Sequence, residues 1–446
     1  MPRALDALCT LSALLLVGCG KKEAPPPTVI ASDSLSASAM RFARALSEAE
    51  GRSPAAARPI EQQGTTQMVT INQEALTRLA GAVTLTESAR TFRIDLARYG
   101  PIEAQFASYE RASGDIDVWT GGLSGGRRGT IALSRIGNRV HGLIFAGDSL
   151  FELRPYKEGH VVQLVSRREY PHELAPLAPL ATPSGAAAAG VHFREDSCPV
   201  HTIDVLQVIH TTDLAALNGL DSARAEFALA LGVANLALGK NGLSMKFRSA
   251  GTAVLSPPTP TPPDFDKLLD DMQAGRVPRL RETRNDSAAD VVALWKPSGT
   301  ECGLAFQLGP GGGGNGASAF LVVSSVCGPK NFSLAHELGH ILGVAHDRAS
   351  WATESPRQPP ARPYGYGYWD PSGLIADIMT QKCKYGQCNR QTVFSSPRAV
   401  IIGIPLGIDY AADQANSADG ARAISETACD VARYRPMASS RATAVP

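Results

Sequence analysis

Charge of one sign is what this 446-residue chain lacks most plainly: 43 Lys and Arg stand against 42 Asp and Glu, a net +1. With no long basic run either, there is no electrostatic case for a nucleic-acid partner. The apolar run near the N-terminus is about fifteen residues, short of the ~20 that a spanning helix needs. No Gly-Lys-Ser accompanies Gly121-Gly122 or Gly125-Gly126, so these glycines form no phosphate loop, and the glycines of 311–314 read as a loop rather than a ligand cradle. Cys383 and Cys388 have no second pair nearby, which argues against a zinc finger. Histidine is scarce too, at nine residues.

Three of those nine fall in one stretch, His336-Glu337-Leu338-Gly339-His340-Ile341-Leu342-Gly343-Val344-Ala345-His346-Asp347. His336 and His340 are four apart, so on a helix both imidazoles leave one face, a turn apart. Glu337 sits where a carboxylate reaches a metal-bound water without binding the metal. Gly343 falls where the helix must stop, because glycine takes positive φ at little cost. The chain then turns back and delivers His346. Three neutral imidazoles leave a fourth tetrahedral position for water, the layout of one catalytic Zn2+ rather than a structural one. Such an ion lowers the pKa of its water and polarises a carbonyl, with Glu337 as base and then acid. Asn331 or Ser333 is placed to cap the helix. An isolated His pair would be unremarkable; five positions fixed at once are not a coincidence of composition. A structural Ca2+ stays open, with no motif behind it.

This long motif resembles the metzincin clan of zinc endopeptidases. Asp377-Ile378-Met379-Thr380 looks like the clan's Met-turn, with Met379 beneath the metal. Asp347 after the third histidine resembles the reprolysin or adamalysin branch. Tyr364-Gly365-Tyr366-Gly367-Tyr368 and Phe394-Ser395-Ser396-Pro397 flank the turn as in bacterial reprolysin-like enzymes, including peptidyl-Asp metalloendopeptidases. The resemblance covers roughly residues 200–435. It implies hydrolysis of internal peptide bonds in a protein or peptide bound in extended form. Cleavage on the amino side of Asp is implied by the look-alike alone. Some metzincins carry a tyrosine two residues after the Met; here Gln381 stands there, with Tyr366 and Tyr368 as weak substitutes. The alternative is a catalytically silent surface lipoprotein that binds a peptide or protein partner, against which the intact Glu337 and three histidines speak.

Leu16-Val17-Gly18-Cys19 resembles a bacterial lipobox, in which Cys19 carries lipid; a signal peptide cut elsewhere is the other reading. Export and outer-membrane anchoring, or release, are therefore expected, with the membrane a partner only through that lipid. Setting aside Cys9 and Cys19 leaves Cys198, Cys302, Cys327, Cys383, Cys388 and Cys429, and an even number in an exported chain points to disulfides. Loop logic favours Cys302–Cys327, Cys383–Cys388 and Cys198–Cys429. Alternatively, Cys198 supplies a thiolate to the open zinc position and keeps the enzyme latent, as in some metzincins.

The organisation expected is a signal peptide over 1–19, a tether over 20–60 with a helical stretch at 37–49, a β-rich propeptide-like domain over 61–170 and an exposed linker over 171–197. A catalytic domain over 198–435 and a tail over 436–446 follow. Short alternating runs at 67–71, 91–96, 116–119, 129–135, 139–145, 149–155 and 161–166 read as antiparallel β, broken by the glycine pairs. Strands at 202–210, 243–248, 290–295 and 319–324 alternate with helices at 214–238, 264–273 and 415–433, and 319–324 reads as the edge strand. The fold class expected is an α+β or α/β metzincin-like catalytic domain (twisted mixed sheet, active-site helix, Met-turn) behind a mainly antiparallel β domain.

Overall fold

The computed structural model describes residues 40–41, 66–82, 91–96, 100–124, 128–147, 149–165, 170–178, 202–257, 264–297, 301–310, 316–381 and 389–435. Cys19, Cys198, Cys383, Cys388, the signal and tail segments and most of the tether lie outside them.

Alternation along the strands builds two sheets. The first has nine strands: β1 (Met40–Arg41), β2 (Thr66–Ile71), β3 (Thr91–Leu96), β4 (Gly100–Ala112), β5 (Ile116–Ser124), β6 (Gly129–Ile136), β7 (Arg139–Ala146), β8 (Ser149–Tyr156) and β9 (Gly159–Val165). They run in the order β1-β2-β9-β8-β7-β6-β5-β4-β3, with every pair antiparallel. One face closes over α1 (Gln73–Ala82), where Leu76 and Leu79 meet Phe106, Trp119, Ile131, Leu133 and Phe151. The other face is also buried: Ala132, Leu143, Phe145 and Leu150 join the core of the second unit. A sheet covered on both sides shows apolar runs rather than strict alternation, which is why β6 and β7 are buried almost throughout.

The second sheet holds β10 (Thr202–His210), β11 (Lys246–Leu255), β12 (Val291–Lys296), β13 (Gly303–Ala305) and β14 (Phe320–Ser324), in the order β11-β10-β12-β14-β13. Four are parallel and β13 is antiparallel to β14. Side chains alternate cleanly between its faces. Val205, Ala293, Trp295, Leu321 and Val323 point to the face with α2 (Leu220–Lys240) and α5 (Ser333–Ile341). Leu206, Val292, Leu294 and Val322 point to the face with α3 (Phe265–Gln273) and α4 (Leu280–Asp286). Beyond α5 come α6 (Arg348–Trp351), the hairpin β15 (Ser396–Ile401) and β16 (Ile404–Leu406), and α7 (Gly420–Val431).

Helix α2 lies between the two sheets, which explains a helix apolar nearly all round. Ser134 Oγ donates to the Ala225 carbonyl (2.7 Å), and Arg224 pairs with Asp115. A Cβ on Gly232 would come within 2.8 Å of Val118, so the helix approaches β5 as closely as it does only because residue 232 is glycine.

The structure corrects several expectations. Residues 319–324 are not the edge: β14 is one strand in, and the edge is β13, a three-residue run too short to read as a strand. Gly121 and Gly122 do not break the sheet but lie inside β5, where a Cβ on Gly121 would meet the Gln105 carbonyl at a register shift in β4. Met40–Arg41, inside the expected helical stretch, pairs with Thr70 and Ile71 as a strand. Residues 171–178 of the expected linker lie against β13; their backbone is hydrogen-bonded to it.

Candidate metal centre

Helix α5 begins at Phe332, which takes the left-handed region (φ 63) with no side-chain cap, so neither Asn331 nor Ser333 caps it. What holds its start is packing: the Phe332 ring stacks on Phe145 of the first sheet, centroids 5.0 Å apart. At the other end the Gly343 N–H donates to the His340 carbonyl and the Val344 N–H to the Gly339 carbonyl. Gly343 has φ 81, and a Cβ there would meet Ala361 at 2.3 Å. Both position and space demand glycine. The reversed chain pairs Ala345 with Gly365 and Gly367 (2.8 and 3.0 Å), which fixes His346 opposite the helix.

His336, His340 and His346 are fully buried, and their Nε2 atoms lie 3.0, 3.1 and 3.2 Å from one another. Each Nδ1 is committed elsewhere: to the Ile378 carbonyl (2.9 Å), the Val344 carbonyl (2.7 Å) and Glu354 Oε1 (2.5 Å). With Nδ1 donating, each Nε2 presents a bare lone pair. Three converging lone pairs repel unless a cation lies between them, and the spacing suits nitrogens about 2.0–2.1 Å from one ion. Burial, and then the neighbouring rings, hold His336 and His340 well below the usual imidazole range, which favours the ligating form. The residues fit a metal, and these three could hold one.

The turn beneath is built on Asp377, whose carboxylate accepts from Tyr368 N (3.0 Å), Thr380 Oγ (2.8 Å) and Ser395 N (2.9 Å). Burial still pushes it up to about 6. The turn presents the Ile378 carbonyl to His336 and Met379 to the helix. A Cβ on Gly339 would lie 2.4 Å from the Met379 sulfur, so Gly339 is as much a part of the centre as its ligands.

Glu337 is fully buried with neither oxygen hydrogen-bonded. It lies against the edge strand: a Cβ on Gly303 would sit 2.3 Å from Glu337 Oε1. Burial, and then the Glu173 carboxylate, push it well above the usual carboxylate range. Asp347 touches the ligand loop only as scaffold, accepting from Ser350 N (3.0 Å), Gln381 N (3.1 Å) and Trp369 Nε1 (3.4 Å). Tyr366 lies elsewhere, its ring between Arg348 (3.9 Å) and Trp351 (5.4 Å). Cys302 and Cys327 are joined, Cα atoms 5.3 Å apart, tying β13 to the turn after β14. Cys429 is disulfide-bonded, its partner outside the described residues. Cys383–Cys388 lies wholly outside them.

Glu354, Glu173 and Arg390 were missed. Glu354 follows His346 across the short helix α6 and has no motif of its own. Glu173 and Arg390 are far apart in sequence, and each reads alone as an ordinary surface charge.

Residues 201–408 match the model of the Metallo-peptidase family M12B Reprolysin-like. A peptidyl-Asp metalloendopeptidase of Stenotrophomonas maltophilia (strain R551-3) is 28% identical over 313 residues, covering 69% of this chain and 70% of its own. One from Xanthomonas campestris pv. campestris is 27% identical over 405 residues, covering 85% and 90%. Among solved structures, metalloproteinase-II from Bacteroides fragilis is similar at TM-score 0.40 and 11% identity, over 60% of this chain and 85% of that one.

Proposed function

From the premise that residues 201–408 belong to the reprolysin-like metallopeptidases of family M12B, and that the chain is a zinc metalloendopeptidase, we propose how its own residues divide the work. His336, His340 and His346 hold the ion, Gly343 makes the turn that brings the third ligand round, and Met379 is the floor. Bound zinc supplies Lewis acidity and an activated water. Glu337 takes the water proton and passes it to the leaving amine. The observation that carries this reading is the convergence of three bare Nε2 atoms beside a carboxylate with no other partner. Glu354, through His346 Nδ1, fixes the third ring and its tautomer.

The substrate is a protein or peptide in extended form, laid along β13, and the relatives' name brings with it a preference for Asp. Export through the 1–19 segment, a lipid on Cys19 and a propeptide role for the first sheet complete the proposal. Cys198 as a latency thiolate is the weaker of its two readings, since six cysteines, an even number, favour a disulfide there.

The test is cleavage of denatured casein by the zinc-loaded chain beside Glu337→Ala, with zinc content measured in both. Equal zinc and a ~100- to 10,000-fold drop in turnover support the assignment. A folded, zinc-loaded chain that cuts nothing even when residues 170–178 are released from β13 turns the reading toward the silent, peptide-binding lipoprotein.

A further inference from the structure

The cleft beside Glu337 already contains a piece of this chain. Cys302 N–H donates to the His172 carbonyl (3.0 Å), Leu174 N–H to the Gly303 carbonyl (3.1 Å), Leu177 N–H to the Ala305 carbonyl (3.0 Å) and Gln307 N–H to the Leu177 carbonyl (3.0 Å). Residues 170–178 thus cover the edge strand with backbone hydrogen bonds, as an extended peptide would, and Leu177 pairs with Phe306 in the parallel sense.

Within this segment Glu173 is fully buried, 2% exposed, in a socket next to the catalytic carboxylate. Its Oε1 accepts from Ser333 Oγ (2.6 Å), Asn331 Nδ2 (3.3 Å) and Arg390 Nη1 (3.3 Å). Its carbonyl accepts from the Gln381 side chain (2.5 Å). The guanidinium is aimed beforehand: Arg390 Nε donates to the Thr380 carbonyl (2.9 Å) and Nη1 to that of Asn331 (3.2 Å). Arg390 therefore hangs from the end of the turn that presents Met379, and Ser333 lies one helical turn before His336. The same elements that place the metal ligands place the socket.

A buried guanidinium needs an anion close by, and planar, multi-donor geometry suits a carboxylate. Glu173 fills that need imperfectly. Its Oε2 has no partner, and neither Glu337 oxygen has one. A buried carboxyl oxygen left without a partner is unfavourable, so Glu173 is held in the socket at a cost and the segment is suited to leave.

Resting on the peptidase reading above, we propose that Arg390, Ser333 and Asn331 form the pocket that reads an acidic side chain of the substrate beside the scissile bond, and that Glu173 is its intramolecular occupant. Residues 170–178 keep the cleft shut until they are displaced. The acid preference and the latency then have one physical origin.

The experiment uses the full zinc-loaded chain as wild type, Glu173→Leu and Glu173→Leu/Arg390→Met, with peptide pairs differing only in one Asp or Asn. Glu173→Leu is expected to raise the rate about tenfold or more over wild type and to favour the Asp peptide by ~30-fold. Adding Arg390→Met is expected to bring that ratio within about threefold. Independently of turnover, the Leu174 and Leu177 amides should exchange hydrogen faster in Glu173→Leu than in wild type. A preference that survives Arg390→Met, casein cut by Glu173→Leu without regard to acidic residues, or unchanged exchange would each overturn the proposal. If Glu173→Leu fails to fold, Glu173→Gln, which keeps the volume, carries the same comparisons. A folded, zinc-loaded chain whose 174 and 177 amides are released but which cuts neither peptides nor casein overturns the peptidase reading, and this proposal with it.

Discussion

The floor of the metal centre and the wall of its cleft are built by opposite means. The floor is local: His336, His340, Gly343 and His346 lie within one stretch, and the rings of His336 and His340 are oriented by carbonyls of Ile378 and Val344. The wall is assembled from afar. Glu173 meets Arg390, Lys330 pairs with Glu152 (2.7 Å), and Phe332 leans on Phe145 from the first sheet. The floor depends on the second unit alone, through the turn at Ile378 and Met379; the wall depends also on the first sheet staying against it. The difference separates the chemistry, fixed by the floor, from access and selectivity, which belong to the wall.

The sharpest way to break that separation is at their point of contact. Gly303→Val puts a side chain into the space of Glu337 Oε1, and either the carboxylate or β13 must move. We expect turnover to fall by about 1000-fold, comparable with removal of the base itself, with zinc content unchanged. Zinc lost in parallel would mean that wall and floor are one unit. Next in size, Phe145→Ala empties a stacked site in the shared core and should lower stability by roughly 3–5 kcal/mol, measured by urea unfolding. A loss under about 1 kcal/mol would show that the first sheet rests on α5 without supporting it. Within the floor, Glu354→Gln keeps the shape but weakens the acceptor on His346 Nδ1. Zinc affinity, read by competition with a chelator, should fall about tenfold to a hundredfold.

The same distinction governs what the sequence made legible. The grouping of His336, His340 and His346 and the Gly343 turn was legible because helix periodicity and glycine stereochemistry act over a few residues. The strands expected over residues 202–210, 290–295 and 319–324 fall on β10, β12 and β14. The edge strand was misplaced because β13 is three residues long, and hydrophobic pattern says nothing at that length. Gly121 and Gly122 were misread because a glycine that ends a strand and one that admits a crossing backbone look alike in sequence. Arg390 and Glu173 were invisible for a deeper reason: each acquires its meaning from a partner more than two hundred positions away. Of the expected organisation, the stretch 171–178 was read from its prolines as a linker, although proline is tolerated in an edge-bound extended segment wherever its missing N–H faces away from the sheet.

The smallest effect lies where the first sheet meets α2. Glu226 Oε1 is 3.7 Å from His141 Nδ1, and burial raises the Glu226 carboxyl to about 7, with Glu152 adding to the rise and Lys330 opposing it. The folded chain therefore keeps this proton between the ordinary glutamate range and pH 7, whereas the unfolded chain has released it. More protons bound in the folded state mean that stability falls as pH rises through that window and levels off above it. Burial meanwhile holds His141 down to about 3, so the unfolded chain alone protonates it in the lower part of the window; that opposite slope is common to both proteins and cancels in their difference. Unfolding of the wild type minus that of Glu226→Gln should give a curve declining by on the order of 1–2 kcal/mol from pH 5 to pH 7.5. A flat difference curve would place Glu226 in water and the two sheets farther apart than their packing shows. A decline accompanied by faster exchange at the Leu174 amide would tie that loosening to the cleft, and the wall would then open as one piece with the sheet that supports it.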